Sequence, residues 1–556
     1  MASFGRELDE IRPASLPNDR PAEGRSGSEE EDWQPTAHEK AIIYTFAILN
    51  LIVSLDATII VTSMPTIVED IGGSTTQAFW IGTSYLLVNA VSMPTICSVS
   101  DVFGRPLLLT ISLVLFTIGT IVCCTAQNIG AMLIGRAIQG VGGGGIQSLS
   151  LVTQTDFVPL RWRPKWYGVT LGAWAVGLST GPIVGGAIAE RTTWRWIFYL
   201  MFSILGFGLV AIPYLLTLRP KERTALEKLH RVDWAGLFLF TNALTTFLIA
   251  ISWGGTQYSW NSAGTLAPLI IGIVGLAGSI CYEAFKASHP FLRKTLFHDV
   301  NSIVIYGAGA LQGFMLYGTL YYVPFYFLSV REFGPIYTGV AMLPNALGFA
   351  VFGAITGRLV TRFNAFRWAS WAVGSIAVGG YVAFREVESK AFWVTALLFG
   401  GLSHGAIITG HNFATQAVCK PGDEGAASAM YVFVRQLGIA LGVGIGETTF
   451  QNALAMKLRW DGLPPEIAYD AATYIPTLHA LPHGPQRDAI YDAYKFGFQI
   501  VYATWFAISV VALVLTLAFV KHADMNRKLE SEHRLDSTRV MQHWRRASNT
   551  ERAVEV

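Results

Sequence analysis

Two charged residues lie inside apolar stretches of the sequence, where they could bind and release a proton. Asp56 is the only acid in SLDATIIVTSMPTI, and Arg136 lies in LIGRAIQGVGGGG. A charge within an apolar span is costly, so it needs a partner and usually has a function. We predict that the two side chains face one water-filled cavity at similar depth and that Asp56 carries the proton. The alternative is that each residue pairs locally and only holds helices together.

A second charged motif, CSVSDVFGRPLLL, places Asp101 and Arg105 four residues apart with Gly104 between them. Glycine permits a tight turn, and an aspartate there can pair with a cation or accept from a helix N-terminus. The motif favours a latch between two helices. The alternative is an ordinary surface ion pair, which is worth less than about 1 kcal/mol.

The third motif, GLSTGPIVGG, contains Gly177, Gly181, Pro182, Gly185 and Gly186. In water this run would break a helix, because Gly costs about 1 kcal/mol and Pro about 3 kcal/mol relative to Ala. In lipid both residues are better tolerated. Three of the glycines repeat every four residues, which predicts a bare ridge for close helix packing. A close, smooth contact beside a proline bend suits a helix on which two rigid halves rock. The alternative is that the glycines serve packing alone.

The composition indicates which solvent surrounds these motifs. Of the 556 residues, 52% are hydrophobic and only 14% are charged, against roughly 25% charged in ordinary soluble proteins. The apolar runs are about 20 residues long, which is the length of a membrane-spanning helix. The sequence therefore predicts an all-α integral membrane protein. The five cysteines lie in or beside apolar runs, so we expect no disulfide framework.

Fourteen apolar segments are predicted to span the membrane; the alternative is that one marginal segment is re-entrant, which leaves thirteen. Their approximate ranges are 41–63, 78–98, 106–126, 129–154, 166–189, 195–217, 232–252, 266–286, 302–328, 337–360, 367–384, 391–415, 426–449 and 498–520.

Lysine and arginine are unevenly distributed between the two sets of loops. With the N-terminus inside, the outer short loops hold only Arg191, Arg195, Arg331, Arg385 and Lys390, whereas the inner loops hold many more. Positive residues accumulate on the cytosolic side. Both termini are therefore expected to be cytosolic, and Asp101 and Arg105 form a cytosolic gate.

In this order, the motifs resemble those of the major facilitator superfamily, specifically its fourteen-span drug:proton antiporters, over about residues 41–520. LDATIIVTSMPTI, SDVFGR, RAIQGVGGG and GLSTGPIVGG are similar to the family's motifs in the first helix, the following loop, the fourth helix and the antiporter helix. WRWIFYL is similar to its entry into the sixth helix, and FVRQLGIALGVGIGETTF resembles fungal members. Cys97, Pro106 and Met201 depart from the family pattern, so Arg105 is expected to carry more of the latch.

The resemblance implies two six-helix bundles with two extra helices inserted between them. The corresponding divisions are a disordered cytosolic tail (1–40), an N-terminal bundle (41–217), a linker with two helices (218–290), a C-terminal bundle (291–520) and a cytosolic tail (521–556). The C-terminal bundle includes a long extracellular connection, 450–497, interpreted as a cap.

A central cavity between the bundles is expected to hold a bulky, mostly apolar organic molecule, because sparse polar groups among aromatic residues suit such a ligand. The candidate lining residues are Gln139, Gln312, Tyr317, Tyr321, His404, His411 and Asn412. Arg435 and Glu447 are also costly to bury, and we expect them nearer the ends of their span.

The resemblance implies proton-coupled efflux of a drug, toxin or secondary metabolite by alternating access. An alternative is transport of siderophores or iron chelates, which a growth assay under iron limitation would reveal. A non-transporting membrane sensor is a further alternative, although the short tails argue against it.

Other functional classes lack their motifs. GVGGGG is not a nucleotide-binding loop because it lacks the lysine, and no cluster has metal-ligand spacing. We expect no enzymatic activity, no cofactor or metal, and no nucleic-acid partner. The expected partners are the organic substrate, protons and the lipid bilayer, with a monomer in the plasma membrane and the vacuolar membrane as an alternative.

Overall fold

A computed structural model describes residues 33–72, 75–216, 225–255, 257–372, 390–469, 471–472, 474–521 and 523. Within these residues the regular structure is helical, without β-strands. The first helices are α1 (Ala37–Ile71), α2 (Thr75–Phe103), α3 (Arg105–Cys124), α4 (Ile129–Phe157), α5 (Arg163–Arg191), α6 (Trp196–Leu215), α7 (Ala225–His230), α8 (Trp234–Trp253) and α9 (Ala263–Phe285). The later helices are α10 (Val300–Ser329), α11 (Pro335–Ala341), α12 (Leu343–Phe363), α13 (Arg367–Ser370), α14 (Lys390–Val418), α15 (Glu424–Trp460), α16 (Ile475–Ala480) and α17 (Pro485–Phe519).

Twelve helical segments in the described part are long and apolar enough to cross a membrane. The expected count of fourteen is not confirmed. Of the two remaining predicted segments, one coincides with α4, a helix of 29 residues that is rich in glycine and polar side chains. The other, 367–384, falls largely outside the described residues, apart from the short α13.

The helices pack in two groups with a repeated pairing scheme. In the first group α1 packs on α5, and α2 packs on α4. In the second group α10 packs on α15, and α12 packs on α14. The two groups meet where α5 contacts α11 and α12, and where α15 contacts α2 and α4. The α8–α9 hairpin lies against α2 and α15 at the edge of this contact.

The long connection predicted for 450–497 is instead mostly helical. Helix α15 continues to Trp460, and α17 begins at Pro485. At the start of α17, Arg487 donates a hydrogen bond at 2.7 Å to Glu332, which lies in the turn after α10. Hydrogen bonds from Tyr491 and Arg487 lower the pKa of the Glu332 carboxyl. Polar residues extend these helices beyond the apolar spans, which is why hydropathy alone ends α15 too early and starts α17 too late.

The glycines of α5 allow it to lie directly against α1. A β-carbon added to Gly185 would overlap the carbonyl oxygen of Ile59, and one added to Gly177 would overlap that of Leu51. Small residues let helix backbones approach this closely. Polar contacts follow from that approach, since the Ser63 hydroxyl donates to the Gly185 carbonyl oxygen at 2.9 Å.

The other members of the glycine motif lie in the same interface. A β-carbon at Gly181 would overlap the Thr58 hydroxyl. The carbonyl oxygen of Pro182 accepts a hydrogen bond from Thr62 at 3.0 Å. Gly186 is buried beside them. The predicted ridge is therefore a real contact surface, and its partner is α1.

We predict that Gly185→Ala lowers the thermal stability of the detergent-purified protein. The methyl group would meet backbone atoms of Ile59, which cannot rotate away as a side chain can, and such overpacking typically costs about 1–3 kcal/mol. Gly172→Ala, on the same helix with open space around it, is the matched control. Equal melting temperatures for the two variants would contradict the close contact.

Candidate functional site

Asp56 and Arg136 form a direct ion pair in the interior of the first helix group. Arg136 Nη1 lies 2.7 Å from Asp56 Oδ2, and both side chains are 0% exposed. The structure thus brings together the two residues that the sequence singled out. It differs in their surroundings, because the pair is enclosed by protein rather than facing a shared water-filled cavity. Burial on all sides follows from the tight contacts of α1, α2 and α4.

Gln139 completes the pair from the next turn of α4. Its side-chain oxygen accepts from Arg136 Nη1 at 2.8 Å, and its amide nitrogen donates to Asp56 Oδ1 at 3.5 Å and to Thr120 at 2.9 Å. Residues three apart on a helix share a face, which explains how one helix supplies both groups. Gln139 was predicted to line the substrate cavity, but its side chain instead bonds to both Asp56 and Arg136.

Helix α2 supplies the remaining contacts of the guanidinium. Arg136 Nε donates to the carbonyl oxygen of Ile81 at 3.1 Å. The Arg136 guanidinium carbon lies 4.3 Å from the centre of the Tyr85 ring, a cation–π distance. Tyr85 in turn donates to the carbonyl oxygen of Val53 on α1 at 3.3 Å. Three helices are therefore joined through one buried charge pair.

Asp101 and Arg105 form the predicted ion pair where α2 meets α3, at one end of the first helix group. Arg105 Nη1 lies 2.5 Å from Asp101 and donates to the Ser100 hydroxyl at 2.5 Å, while Nε lies 3.3 Å from Asp156. Gly104 has a φ of 103° at the junction of α2 and α3, a conformation that favours glycine. Arg105 thus bonds three side chains around one sharp turn.

The ion pairs continue across to the second helix group. Arg293 lies 3.9 Å from Asp101 and 2.6 Å from Asp423, and Thr295 donates to Asp423 at 2.6 Å. This chain of contacts lines a cavity of about 700 Å³ that also includes Glu283. Asp101 is therefore shared between both groups, and we call Asp101, Arg105, Asp156, Arg293 and Asp423 the gate cluster.

A separate hydrogen bond joins the two groups nearby. Arg163 Nη1 donates to Gln416 at 2.8 Å, and its other nitrogens donate to the carbonyl oxygens of Val158 and Thr155 at 2.7 and 2.8 Å. The helix groups are thus linked twice at this end.

The remaining predicted cavity residues lie in the second group, enclosed rather than around an open cavity. Gln312 is hydrogen-bonded to His404 at 3.2 Å. Tyr317, His411 and Asn412 are buried. Tyr321 lines a gap between the groups with a volume of about 20 Å³.

Arg435 is the residue whose position the sequence misjudged most. It was expected near the end of its span, yet it lies 11 residues inside α15 and is 2% exposed. Its guanidinium carbon lies 5.2 Å from the centre of the Trp174 ring on α5. Asp156, Arg293 and Asp423 were also missed, because their partners are distant in sequence. The sequence did carry a signal for the burial of Arg435, which is a single charge within the mostly apolar stretch FVRQLGIALG.

We predict that Asp56→Asn and Arg136→Gln each destabilise the protein by about 3–5 kcal/mol, because each leaves a buried partner uncompensated. The double variant is expected to recover part of this loss. Thermal unfolding in detergent measures the stability of the two single variants and of the double variant. Asp70→Asn, on the same helix but half exposed, is the control and should cost less than about 1 kcal/mol. Strictly additive losses would contradict a direct interaction.

We predict that Arg293→Gln shifts the protein toward a state that is open at the gate cluster. Partly exposed pairs are worth up to about 1 kcal/mol, so the shift in population is up to about fivefold. Spin labels at Lys165→Cys and Lys420→Cys, one on each helix group, report the opening as a longer distance. Lys294→Gln removes the same charge from the neighbouring residue and should leave the distance distribution unchanged. An identical response of both variants would argue against the gate.

Comparisons with known proteins agree with this architecture. The family model described as Major Facilitator Superfamily matches residues 46–443. The chain is 35% identical to "MFS transporter L2" of a Phoma species over 94% of this chain and 89% of that protein. It is 31% identical to "MFS-type efflux pump LUC4" of a Fusarium species, with 90% and 92% covered.

A relative in Aspergillus oryzae, "MFS efflux transporter aclA", is 30% identical, with 90% of this chain and 92% of the relative covered. Among solved structures, the human transporter MFSD10 superposes with a TM-score of 0.57 at 15% identity, over 87% of this chain and 100% of that one. The chain therefore belongs to the major facilitator superfamily, a family of membrane transporters rather than enzymes.

Proposed function

We propose that this protein exports a bulky organic compound in exchange for protons, by alternating access between two six-helix bundles. The two inserted helices are α8 and α9, and the complete protein has fourteen spans. The relatives named as efflux pumps support export of an organic compound. The observation that carries the proton coupling is the contact between Asp56 and Arg136, which at 2.7 Å and without solvent exposure forms a charge pair that one proton can disrupt.

Protonation changes the balance of forces at this pair. A neutral Asp56 loses most of its attraction for Arg136, and Gln139 retains bonds to both residues. The change removes a link between α1 and α4, while the close contact of α1 with α5 persists. A local proton thus alters how these helices pack.

Helix α5 transmits this change to the other bundle. Its glycine ridge holds α1 on one side, and α11 and α12 of the second bundle pack on the other. Small side chains make the contact smooth enough for rigid groups to rock. The glycine motif of α5, from Gly177 to Gly186, accordingly serves as the hinge surface between the bundles.

The gate cluster closes the cytosolic end in this conformation. Its ion pairs join the bundles through Asp101 and Arg293, and Arg163 adds a hydrogen bond to Gln416. These bonds must break for cytosolic cargo to enter. The Asp101–Arg293 contact is partly exposed and therefore weak, which suits a gate that opens in every cycle.

The proton gradient supplies enough free energy for this work. One proton moving through about 100 mV releases roughly 2.3 kcal/mol, and one pH unit adds about 1.4 kcal/mol. The sum of about 3.7 kcal/mol supports a cargo gradient of a few hundredfold. The proposed location is the plasma membrane, with both termini in the cytosol.

We predict that Asp56→Asn abolishes pH-driven flux in proteoliposomes, because asparagine cannot exchange a proton. Asp56→Glu keeps a carboxyl group and is expected to retain part of the flux. Asp70→Asn, the half-exposed acid on the same helix, should transport normally. Flux is measured as uptake of an exported dye into acid-inside vesicles. Undiminished flux in Asp56→Asn would overturn the proton role of this residue.

A further inference from the structure

Arg435 is a buried arginine that the proposed proton mechanism does not use. It projects from the middle of α15 and is 2% exposed. Its backbone and the start of its side chain pack against Gly313 on α10. Its guanidinium carbon lies 5.2 Å from the centre of the Trp174 ring on α5. Arg435 therefore lies where the two bundles meet.

This arginine lacks the compensation that the other buried arginines have. Its Nε and Nη1 atoms have no hydrogen-bond partner, and within the described residues it makes no ion pair. The other buried arginines each have partners at 2.5–2.8 Å: Arg105 with Asp101, Arg136 with Asp56, Arg163 with Gln416, and Arg487 with Glu332.

No acidic residue on α5, α10, α14 or α15 lies close enough to neutralise it, and Asp101 and Asp156, on the α2 and α4 helices that α15 also contacts, are bonded to Arg105. Helices α10 and α14 contain no Asp or Glu, and α5 contains only Glu190 near its end. On α15 itself, Glu424 and Glu447 are 11 and 12 residues away, which is about 16–18 Å along the helix. An uncompensated buried charge is costly. The missing anion is therefore expected to come from outside the chain.

Polar side chains of α14 could supply hydrogen bonds to such an anion. On α14, which packs against α15, Asn412 Nδ2 and His404 Nε2 are buried without partners, and so are both ring nitrogens of His411. Both kinds of side chain can donate hydrogen bonds. Trp174, with Phe349 at 5.6 Å between ring centres, supplies an apolar surface beside the cation.

We propose that Arg435 binds the acidic group of the cargo, so that the exported compound is an aromatic or apolar organic acid. In the closed conformation Trp174 covers the guanidinium; when the bundles separate, the carboxylate of the cargo takes the charge and its apolar body packs on Trp174 and Phe349. This assignment of the cargo class rests on the proposed function.

The direct test compares an acid with its neutral counterpart. Binding of 1-pyrenebutyrate and of 1-pyrenebutanamide to the full-length protein in nanodiscs is measured by thermophoresis. Wild type is expected to bind the acid at least about tenfold more tightly, as a charge-assisted hydrogen bond requires. Arg435→Gln should abolish this preference, Arg435→Lys should retain part of it, and Arg459→Gln, an exposed arginine on the same helix, should leave it intact.

A second measurement separates ligand binding from a structural role. Removing an uncompensated charge should leave the melting temperature of the ligand-free protein unchanged or higher, whereas Arg136→Gln should lower it. A drop for Arg435→Gln as large as that for Arg136→Gln would overturn the proposal. Equal affinity for the two pyrene compounds, or no detectable binding of the acid, would also overturn it. None of these three outcomes bears on pH-driven flux through Asp56, which tests the proposed function separately.

Discussion

The structure depends on one constraint, which is that a charge buried among apolar helices must be compensated. Asp56 and Arg136 satisfy each other at 2.7 Å without solvent exposure, and Gln139 and Tyr85 fix their geometry. A pair of this kind is poor evidence for stability, because burying two charges costs about as much as their attraction returns. Such a pair is well suited to a switch, because a proton that neutralises Asp56 leaves the charge of Arg136 unpaired in the protein interior.

A switch of this kind needs helices that move as units. The glycine ridge keeps α1 and α5 in backbone contact, so displacement of α1 carries α5 with it. Helix α5 also contacts α11 and α12 of the second bundle. The gate cluster lies at one end of the same interface, and the contact that crosses between the helix groups, Asp101 with Arg293, is partly exposed, with side chains 38% and 42% exposed. In the proposed mechanism, the buried pair at the centre couples to the proton and the partly exposed contact at the end acts as the gate.

Much of this fold follows from hydropathy, since the predicted segments 106–126 and 195–217 nearly match α3 (Arg105–Cys124) and α6 (Trp196–Leu215). Helix ends were predicted less well where polar residues extend a helix beyond the bilayer, as in α15. The contact between Asp56 and Arg136 was predictable because each is a lone charge at a similar depth. The partners Asp156, Arg293 and Asp423 were not, because loops distant in sequence bring them together. Arg435 was undervalued because sequence alone does not reveal whether a buried charge has a partner.

The central claim is that Asp56 gains a proton when its bond to Arg136 opens. Infrared difference spectroscopy of the protein in lipid, recorded while the pH is lowered, detects the carbonyl stretch of a newly protonated carboxyl group. The account predicts such a band in the wild type, its loss in Asp56→Asn and its persistence in Asp70→Asn. A band of undiminished intensity in Asp56→Asn would show that another group carries the proton, and would contradict the account.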